Sequence, residues 1–186
     1  MFPRPTLLRR AGFAGLCGFM LAMSQAPAEP AADGAPVAVG HALPDVLMAG
    51  LNGPARRLSS YRGRPLIINV WASWCGPCRA ETASLERLAW GEAGGHFVVI
   101  GISTDDYRNE ALRWLQNSNA TLDQYIDSRQ VLENLLGASR IPLTVLVDAR
   151  GRVVARFQGA RDWDTEDSVR LIQRAFASAR APAPRR

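Results

Sequence analysis

Two cysteines, Cys75 and Cys78, follow shortly after the continuous apolar run of residues 65–71, and this junction constrains the fold most. Such a run is typical of a central strand that is buried on both faces. A helix that begins at Cys75 leaves its sulfur at the helix N-terminus, where unpaired N–H groups and the helix dipole favour a thiolate. Cys78 lies one turn further along, so the two sulfurs can form a disulfide or be released as a dithiol. The spacing therefore predicts a redox pair.

The first 26 residues are typical of an export segment. Three arginines precede an uncharged apolar run, residues 11–23, and small residues follow it. This run is shorter than the roughly 20 residues that a spanning helix needs. We expect residues 1–26 to be a signal peptide or an N-terminal membrane anchor, with the working domain in an oxidising extracytoplasmic space.

The formal charge of +5 is mostly local. From Glu29 onward, 19 arginines stand against 17 acidic residues, and two of these arginines are the terminal pair Arg185 and Arg186. No basic run with interleaved aromatic residues occurs, so we expect no nucleic-acid partner. All 22 basic residues are arginine, which excludes lysine-based chemistry.

The chain between the export segment and the C-terminus divides into three parts. Residues 27–39 are rich in Ala and Pro and are expected to be a flexible tether, and residues 178–186 a disordered tail. Residues 40–177 have the size of one domain with its own core.

Strand and helix patterns alternate within this domain, which predicts an α/β fold with a central mixed β-sheet flanked by helices. An N-terminal β-hairpin extension is expected from the turn residues 51–54. We expect Asp105 to cap a helix that carries Ala111, Leu112 and Leu115. The expected hairpin strands are 45–47 and 56–58, the later strands 65–71, 97–102, 122–126, 143–147 and 153–157, and the other helices 76–90, 130–136 and 165–177.

The segment Ile67–Glu81 reads IINVWASWCGPCRAE, and LSSYRG precedes it at Leu58–Gly63. Together with an Ile141-Pro142 pair that opens a later strand, it resembles the TlpA/ResA branch of exported thiol–disulfide oxidoreductases, which have a thioredoxin-like fold. The resemblance covers about residues 38–177. It implies reduction of disulfides in exported proteins, often apocytochromes c or copper-site proteins of respiratory oxidases.

The resemblance also implies partners and a location. Electrons would come from a membrane donor of the DsbD/CcdA type, and the substrate would be an exported protein that bears a disulfide. We expect a monomer in the periplasm, either soluble after signal cleavage or tethered to the inner membrane by residues 11–23. The redox-active disulfide would serve without any other cofactor. Two departures from the family bear on substrate choice: Ala83 stands where proline is usual, and Leu143-Thr144 where Thr-Thr is common.

Cys75 is the expected nucleophile and Cys78 the resolving thiol. Pro77 has no N–H to donate and fixes φ at the helix start, while Gly76 adds neither charge nor bulk beside the sulfurs. The same dipeptide in thioredoxin accompanies a potential of about −270 mV, which favours reduction over oxidation.

Glu81 is the expected proton partner of Cys78. The spacing places Cys78, Glu81 and Leu85 on one helix face, which must be partly buried. Burial raises the pKa of a carboxyl group and suits it to proton exchange. Asn69 stands where cytosolic thioredoxins carry a buried aspartate, and an amide cannot exchange protons at neutral pH. The alternative for Glu81 is an ordinary glutamate in the first turn of a helix. The alternative for Asn69 is a hydrogen-bonded polar residue at a strand end.

Pro142, which follows Ile141, is expected to form a cis peptide bond that faces the disulfide and leaves backbone groups free to pair with an extended substrate. The alternative is an ordinary strand-opening proline. Trp74 is expected to cover the disulfide and contact substrate, and Trp71 to support the site by packing. Trp114 and Trp163 are assigned only to packing.

Three other interpretations of the same cysteines are possible: a structural zinc site, a copper-binding chaperone and a thiol peroxidase. A structural zinc site would need two more ligands, and only His41 and His96 are available. A copper-binding chaperone of this fold would be expected to carry a C-x-x-x-C site with a histidine downstream. No histidine follows His96 in this sequence. A thiol peroxidase would need a lone peroxidatic cysteine, which the C-x-x-C spacing argues against. We therefore expect no metal ligands and a thiol–disulfide oxidoreductase of the protein-disulfide reductase type.

Overall fold

The structure is a computed structural model that describes residues 35–180, and the predicted export segment lies outside this range. Within this range, seven strands form one mixed sheet in the order β2-β1-β5-β4-β3-β6-β7. The parallel strands β3, β4 and β5 occupy its centre, and the flanking pairs are antiparallel. The strands are β1 (Leu47–Gly50), β2 (Arg56–Arg57), β3 (Leu66–Trp71), β4 (Val98–Ser103), β5 (Asp123–Ile126), β6 (Leu143–Val147) and β7 (Val153–Gln158).

Four α-helices accompany the sheet in this part of the chain: α1 (Gly76–Trp90), α2 (Arg108–Ser118), α3 (Val131–Leu136) and α4 (Glu166–Arg180). Short 3₁₀ turns lie at Leu58–Tyr61 and Glu92–His96. The expected mixed α/β fold with an N-terminal hairpin is confirmed, since β1 and β2 pair antiparallel. None of the helices in residues 35–180 has the length and apolar character that a membrane span requires.

Successive residues of β3 face opposite ways and contribute to different hydrophobic clusters. Ile68 packs in a cluster with Leu132 and Leu136 of α3, whereas Ile67 packs with residues of α1 and α4. All six residues of β3 are buried, as expected for a strand covered on both faces.

The carboxyl ends of the three parallel strands meet at one edge of the sheet. Trp71 of β3 lies opposite Ser103 of β4, and Ser103 lies opposite Ile126 of β5. The turn of residues 72–75 therefore leaves the sheet beside the loop of residues 104–107. Binding sites in sheets of this type form at that edge.

The bounds of α1 match the prediction, since this helix begins after Cys75 and ends before Gly91. The prediction that Asp105 caps the next helix is wrong. Helix α2 begins at Arg108, and its N-cap residue is Tyr107, which makes no side-chain capping bond. The Asp105 carboxylate instead accepts hydrogen bonds from Ser73 and Ser103.

The predicted tether is described only from residue 35. Here the Val37 N–H donates to the carbonyl oxygen of Leu135 at 2.9 Å, and the Val37 side chain packs against the core. The Arg156 guanidinium also donates to the Val37 carbonyl oxygen. The packed domain thus begins near residue 37, a little before the predicted boundary at 40.

We predict that Gly101→Ala lowers the free energy of unfolding by about 1–3 kcal/mol. A Cβ atom at Gly101 of β4 would lie 1.9 Å from Oε1 of Gln124. That oxygen accepts the indole N–H of Trp71 at 2.9 Å, so its displacement leaves a buried donor without a partner. Denaturant unfolding of the oxidised protein measures the effect. Gly95→Ala is the control, because nothing lies within 4 Å of its Cβ position, and equal stability of the two variants would contradict the prediction.

Candidate active site

Cys75 and Cys78 form a disulfide at the N-terminus of α1, with their Cα atoms 5.3 Å apart. Cys75 is the N-cap residue in an extended conformation, and its Sγ accepts the N–H of Cys78 at 3.2 Å. Pro77 stands in the first turn, where its missing N–H has no helical partner to lose. The structure thus places the Cys75 sulfur at a helix N-terminus, as predicted.

The disulfide lies below an exposed rim. Both cysteines are buried, whereas Gly76, Pro77 and Trp74 are exposed, and Trp74 has 70% of its area accessible. Trp74 therefore projects into solvent beside the disulfide, where a bound polypeptide can reach it. Its predicted contact with substrate stays a prediction.

Ile141 and Pro142 lie at the same edge. Their peptide bond is cis, as expected, and Ile141 packs against the cluster that contains both cysteines. The Pro142 carbonyl oxygen already has hydrogen-bond partners within the protein. It accepts the Gly159 N–H at 2.9 Å and the Gln158 side-chain amide at 3.1 Å.

Glu81 lies on the buried face of α1 with 3% of its area exposed. Its Oε1 accepts the Asn69 amide at 2.7 Å, and its Oε2 accepts the Trp163 indole N–H at 3.1 Å. Oε2 also accepts the backbone N–H of Arg161 at 3.1 Å. The carboxylate thus joins α1 to β3 and to the loop that precedes α4.

Burial raises the pKa of Glu81, because the charged form loses its hydration. The hydrogen bonds from Asn69, Arg161 and Trp163 act in the opposite direction but do not cancel the effect of burial. The predicted face of Cys78, Glu81 and Leu85 is buried as expected. A carboxyl group with a raised pKa, one helical turn from Cys78, is suited to take up and release a proton.

Asn69 links the strand to this carboxylate. Besides its bond to Glu81, its Nδ2 donates to the Thr144 hydroxyl of β6 at 3.1 Å. The sequence singled out Asn69 and Glu81 separately, and the fold brings their side chains into contact. Thr144, which directly follows the departure from the resembled family at Leu143, is part of the same network.

Trp163, which the sequence assigns only to packing, has a second role at the site. The residue is fully buried, and its indole N–H donates to Glu81 across 82 positions of the chain. Nothing local in the sequence indicates this contact. Trp71 does pack as expected, with its ring centroid 4.7 Å from that of Trp114.

Asp105 is the second residue that the sequence did not place at the site. Its Oδ1 accepts the Ser73 hydroxyl at 2.7 Å, and its Oδ2 accepts the Ser73 N–H at 2.9 Å and the Ser103 hydroxyl at 2.7 Å. The hint in the sequence is the pair of serines, one before the cysteine motif and one at the end of a strand. Within residues 35–180, no group of three or more His, Cys, Asp or Glu side chains is placed to hold a metal ion.

Comparison with known proteins agrees with this geometry. The redoxin family model matches residues 38–171. The chain is 33% identical over 150 residues to the thiol:disulfide interchange protein DsbE of Vibrio cholerae, a match that covers 77% of this chain and 79% of that protein. It is 29% identical over 119 residues to the thiol-disulfide oxidoreductase ResA of Geobacillus thermodenitrificans, covering 63% of this chain and 67% of that protein.

A solved structure shares the fold. A secreted Mycobacterium tuberculosis disulfide oxidoreductase homologous to DsbE superposes with a TM-score of 0.58 and 22% identity, over 72% of this chain and 96% of that one. The disulfide at the start of α1, the family match and these relatives agree with one another. The chain belongs to the redoxin family and is a thiol–disulfide oxidoreductase of the DsbE and ResA type.

Proposed function

We propose that the protein is an extracytoplasmic reductase of disulfides in exported proteins, of the class that matures apocytochromes c or respiratory copper sites. The observation that carries the proposal is the Cys75–Cys78 pair at the N-terminus of α1, with the Cys75 sulfur as helix cap. The apolar and arginine pattern of residues 1–26 supports export, with the domain either free in the periplasm or tethered to the inner membrane.

The reaction follows from the two positions of the sulfurs. The Cys75 thiolate attacks one sulfur of the substrate disulfide, which forms a mixed disulfide and releases the other substrate sulfur as a thiolate. The Cys78 thiolate then attacks the Cys75 Sγ, which breaks the mixed disulfide and frees the second substrate thiolate. Two electrons pass to the substrate, and the Cys75–Cys78 disulfide is left.

Reduction is the proposed direction, because Gly76 and Pro77 are the residues found with a reducing potential in thioredoxin. A membrane donor of the DsbD/CcdA type would then restore the dithiol by the reverse exchange. The exposed Trp74 and the neighbouring Ile141-Pro142 would receive the substrate polypeptide.

Glu81 is the proposed proton partner of Cys78. The resolving thiol must lose a proton before it attacks, and Glu81 is the buried carboxyl group one turn along its helix. Its raised pKa makes the carboxylate of Glu81 a stronger base and so a better acceptor of that proton.

The first test of the proposal is the Cys78→Ser variant. Without the resolving thiol, we expect the mixed disulfide between Cys75 and an exported substrate to accumulate, because nothing breaks it. Non-reducing electrophoresis and mass spectrometry of the periplasmic fraction identify the partner. The control is the variant with Cys75→Ser added, which should trap nothing, and equal trapping by both would contradict Cys75 as the nucleophile.

The second test is Glu81→Gln. We expect the rate of disulfide reduction to fall by about a hundredfold or more, because the proton acceptor is gone. Stopped-flow measurement of the dithiol reaction with a model disulfide gives the rate. Glu86→Gln is the matched control on the same helix, since Glu86 bonds to Thr121 and Leu122 and not to the site. Equal rates for the two variants would contradict the assignment.

The raised pKa of Glu81 also predicts how the stability of the folded protein depends on pH. Because its pKa is raised in the folded state, the folded protein holds this proton at pH values where the unfolded chain has lost it. The free energy of unfolding of wild type, relative to Glu81→Gln, should therefore fall as pH rises from about 4 through the raised pKa. Denaturant unfolding of the oxidised proteins across pH measures the difference, and a constant or rising difference would contradict it.

A further inference from the structure

We propose that Asp105 is a positioning residue for thiol–disulfide exchange, which holds Ser73 and thereby keeps Cys75 against the N-terminus of α1. The inference rests on the proposed function and adds a second buried carboxylate to Glu81. The two act in different ways, since Glu81 is proposed to move a proton and Asp105 to hold the turn of residues 72–75.

The hydrogen bonds of Asp105 converge on that turn. Only 1% of its area is exposed, and both carboxylate oxygens are engaged. Ser73 binds it twice, through the backbone N–H at 2.9 Å and through the hydroxyl at 2.7 Å. Two bonds from one residue restrict both its backbone and its side-chain conformation. Ser103 donates a third bond at 2.7 Å and so fixes the carboxylate on the end of β4.

This carboxylate serves neither of the usual purposes of an aspartate before a helix. It does not cap α2, whose N-cap residue is Tyr107. It also makes no ion pair within the described residues 35–180. A buried carboxylate is costly to desolvate, and here the compensating donors belong to the motif turn and to the strand beside it.

The consequence for the chemistry follows from the short path between Ser73 and Cys75. Only Trp74 separates them, so the conformation at Ser73 sets where the Cys75 sulfur lies relative to the helix. In the structure, the Cys75 sulfur accepts the Cys78 N–H at 3.2 Å, and this arrangement stabilises a thiolate. If the turn is released, the thiolate loses this donor and the pKa of Cys75 rises.

The charge of Asp105 has the opposite effect. A negative charge close to the turn disfavours a second negative charge on the sulfur, so removing the charge alone lowers the pKa of Cys75. Positioning and charge therefore predict shifts of opposite sign, which makes them separable by experiment.

Two substitutions of Asp105 separate the effects. Asp105→Asn removes the charge but preserves the size and the bonds, because its amide oxygen can accept from the Ser73 N–H and Ser103. Its amide nitrogen can donate to the Ser73 hydroxyl oxygen once that hydroxyl turns. Asp105→Ala removes both the charge and the bonds.

The experiment follows alkylation of reduced full-length protein by iodoacetamide across pH, with mass spectrometry of the Cys75 peptide. For Asp105→Ala we expect the loss of positioning to outweigh the loss of charge, so that the alkylation midpoint moves to higher pH and the rate of disulfide reduction falls by about tenfold. For Asp105→Asn we expect the rate to stay within about twofold of wild type, with a midpoint no higher than that of wild type.

Asp127→Ala is the matched control for stability. Like Asp105, Asp127 is a buried aspartate at this edge of the sheet. Its carboxylate accepts the N–H groups of Val131 and Glu133 at the start of α3 instead of binding the motif turn. This variant should lose stability and keep the wild-type alkylation profile. Ser73→Ala removes the hydroxyl bond and keeps the charge, so its midpoint should also move to higher pH, and it serves in place of Asp105→Ala if the latter does not fold.

Two outcomes would overturn the proposal. Equal downward shifts in Asp105→Ala and Asp105→Asn would show that Asp105 acts only through its charge. A wild-type alkylation profile in both Asp105→Ala and Ser73→Ala would show that it contributes only to stability. Because alkylation needs no protein substrate, it tests Asp105 even if wild type fails to reduce disulfides, a result that would overturn only the proposed function.

Discussion

Strand β3 has no exposed face, and this burial sets the position of the disulfide. Every residue from Leu66 to Trp71 is buried, with β4 paired on one side and β6 on the other. A slip of one residue would move its side chains to the opposite faces of the sheet, so the register is strongly specified. The turn that carries Cys75 therefore leaves a rigid strand at a defined point, and four residues separate the end of β3 from the start of α1.

Two buried carboxylates connect that turn and the elements around it to the rest of the fold. Glu81 reaches from α1 to β3 and to the loop before α4, and Asp105 reaches from the end of β4 to Ser73. Within the described residues, their hydrogen-bond donors are amide, indole and hydroxyl groups. An ionised carboxylate only accepts hydrogen bonds, so each one dictates the orientation of the donors around it. The turn is thus specified by directional bonds as well as by packing.

Local signals explain why much of the fold was predictable. The apolar run that became β3, the Gly-Pro pair inside the motif and Gly91 each act within a few residues, and together they defined α1 to the residue. The same reliance on local rules produced the error at Asp105. Aspartate before a helix usually caps it, whereas this one binds Ser73, 32 positions earlier, and the cap of α2 falls on Tyr107.

The sequence by itself determined the redox pair, the helix that carries it, the strand that precedes it and the branch of the family. These depend on residue type and spacing over short distances, where one helical turn or one strand fixes the geometry. Only the tertiary structure decided which groups surround the sulfurs. Glu81 and Trp163 are 82 positions apart in the chain, and Asp105 and Ser73 are 32 positions apart. The fold alone brings each pair into contact. Such contacts arise from strand order and from the need of buried polar groups for partners, neither of which a local pattern contains.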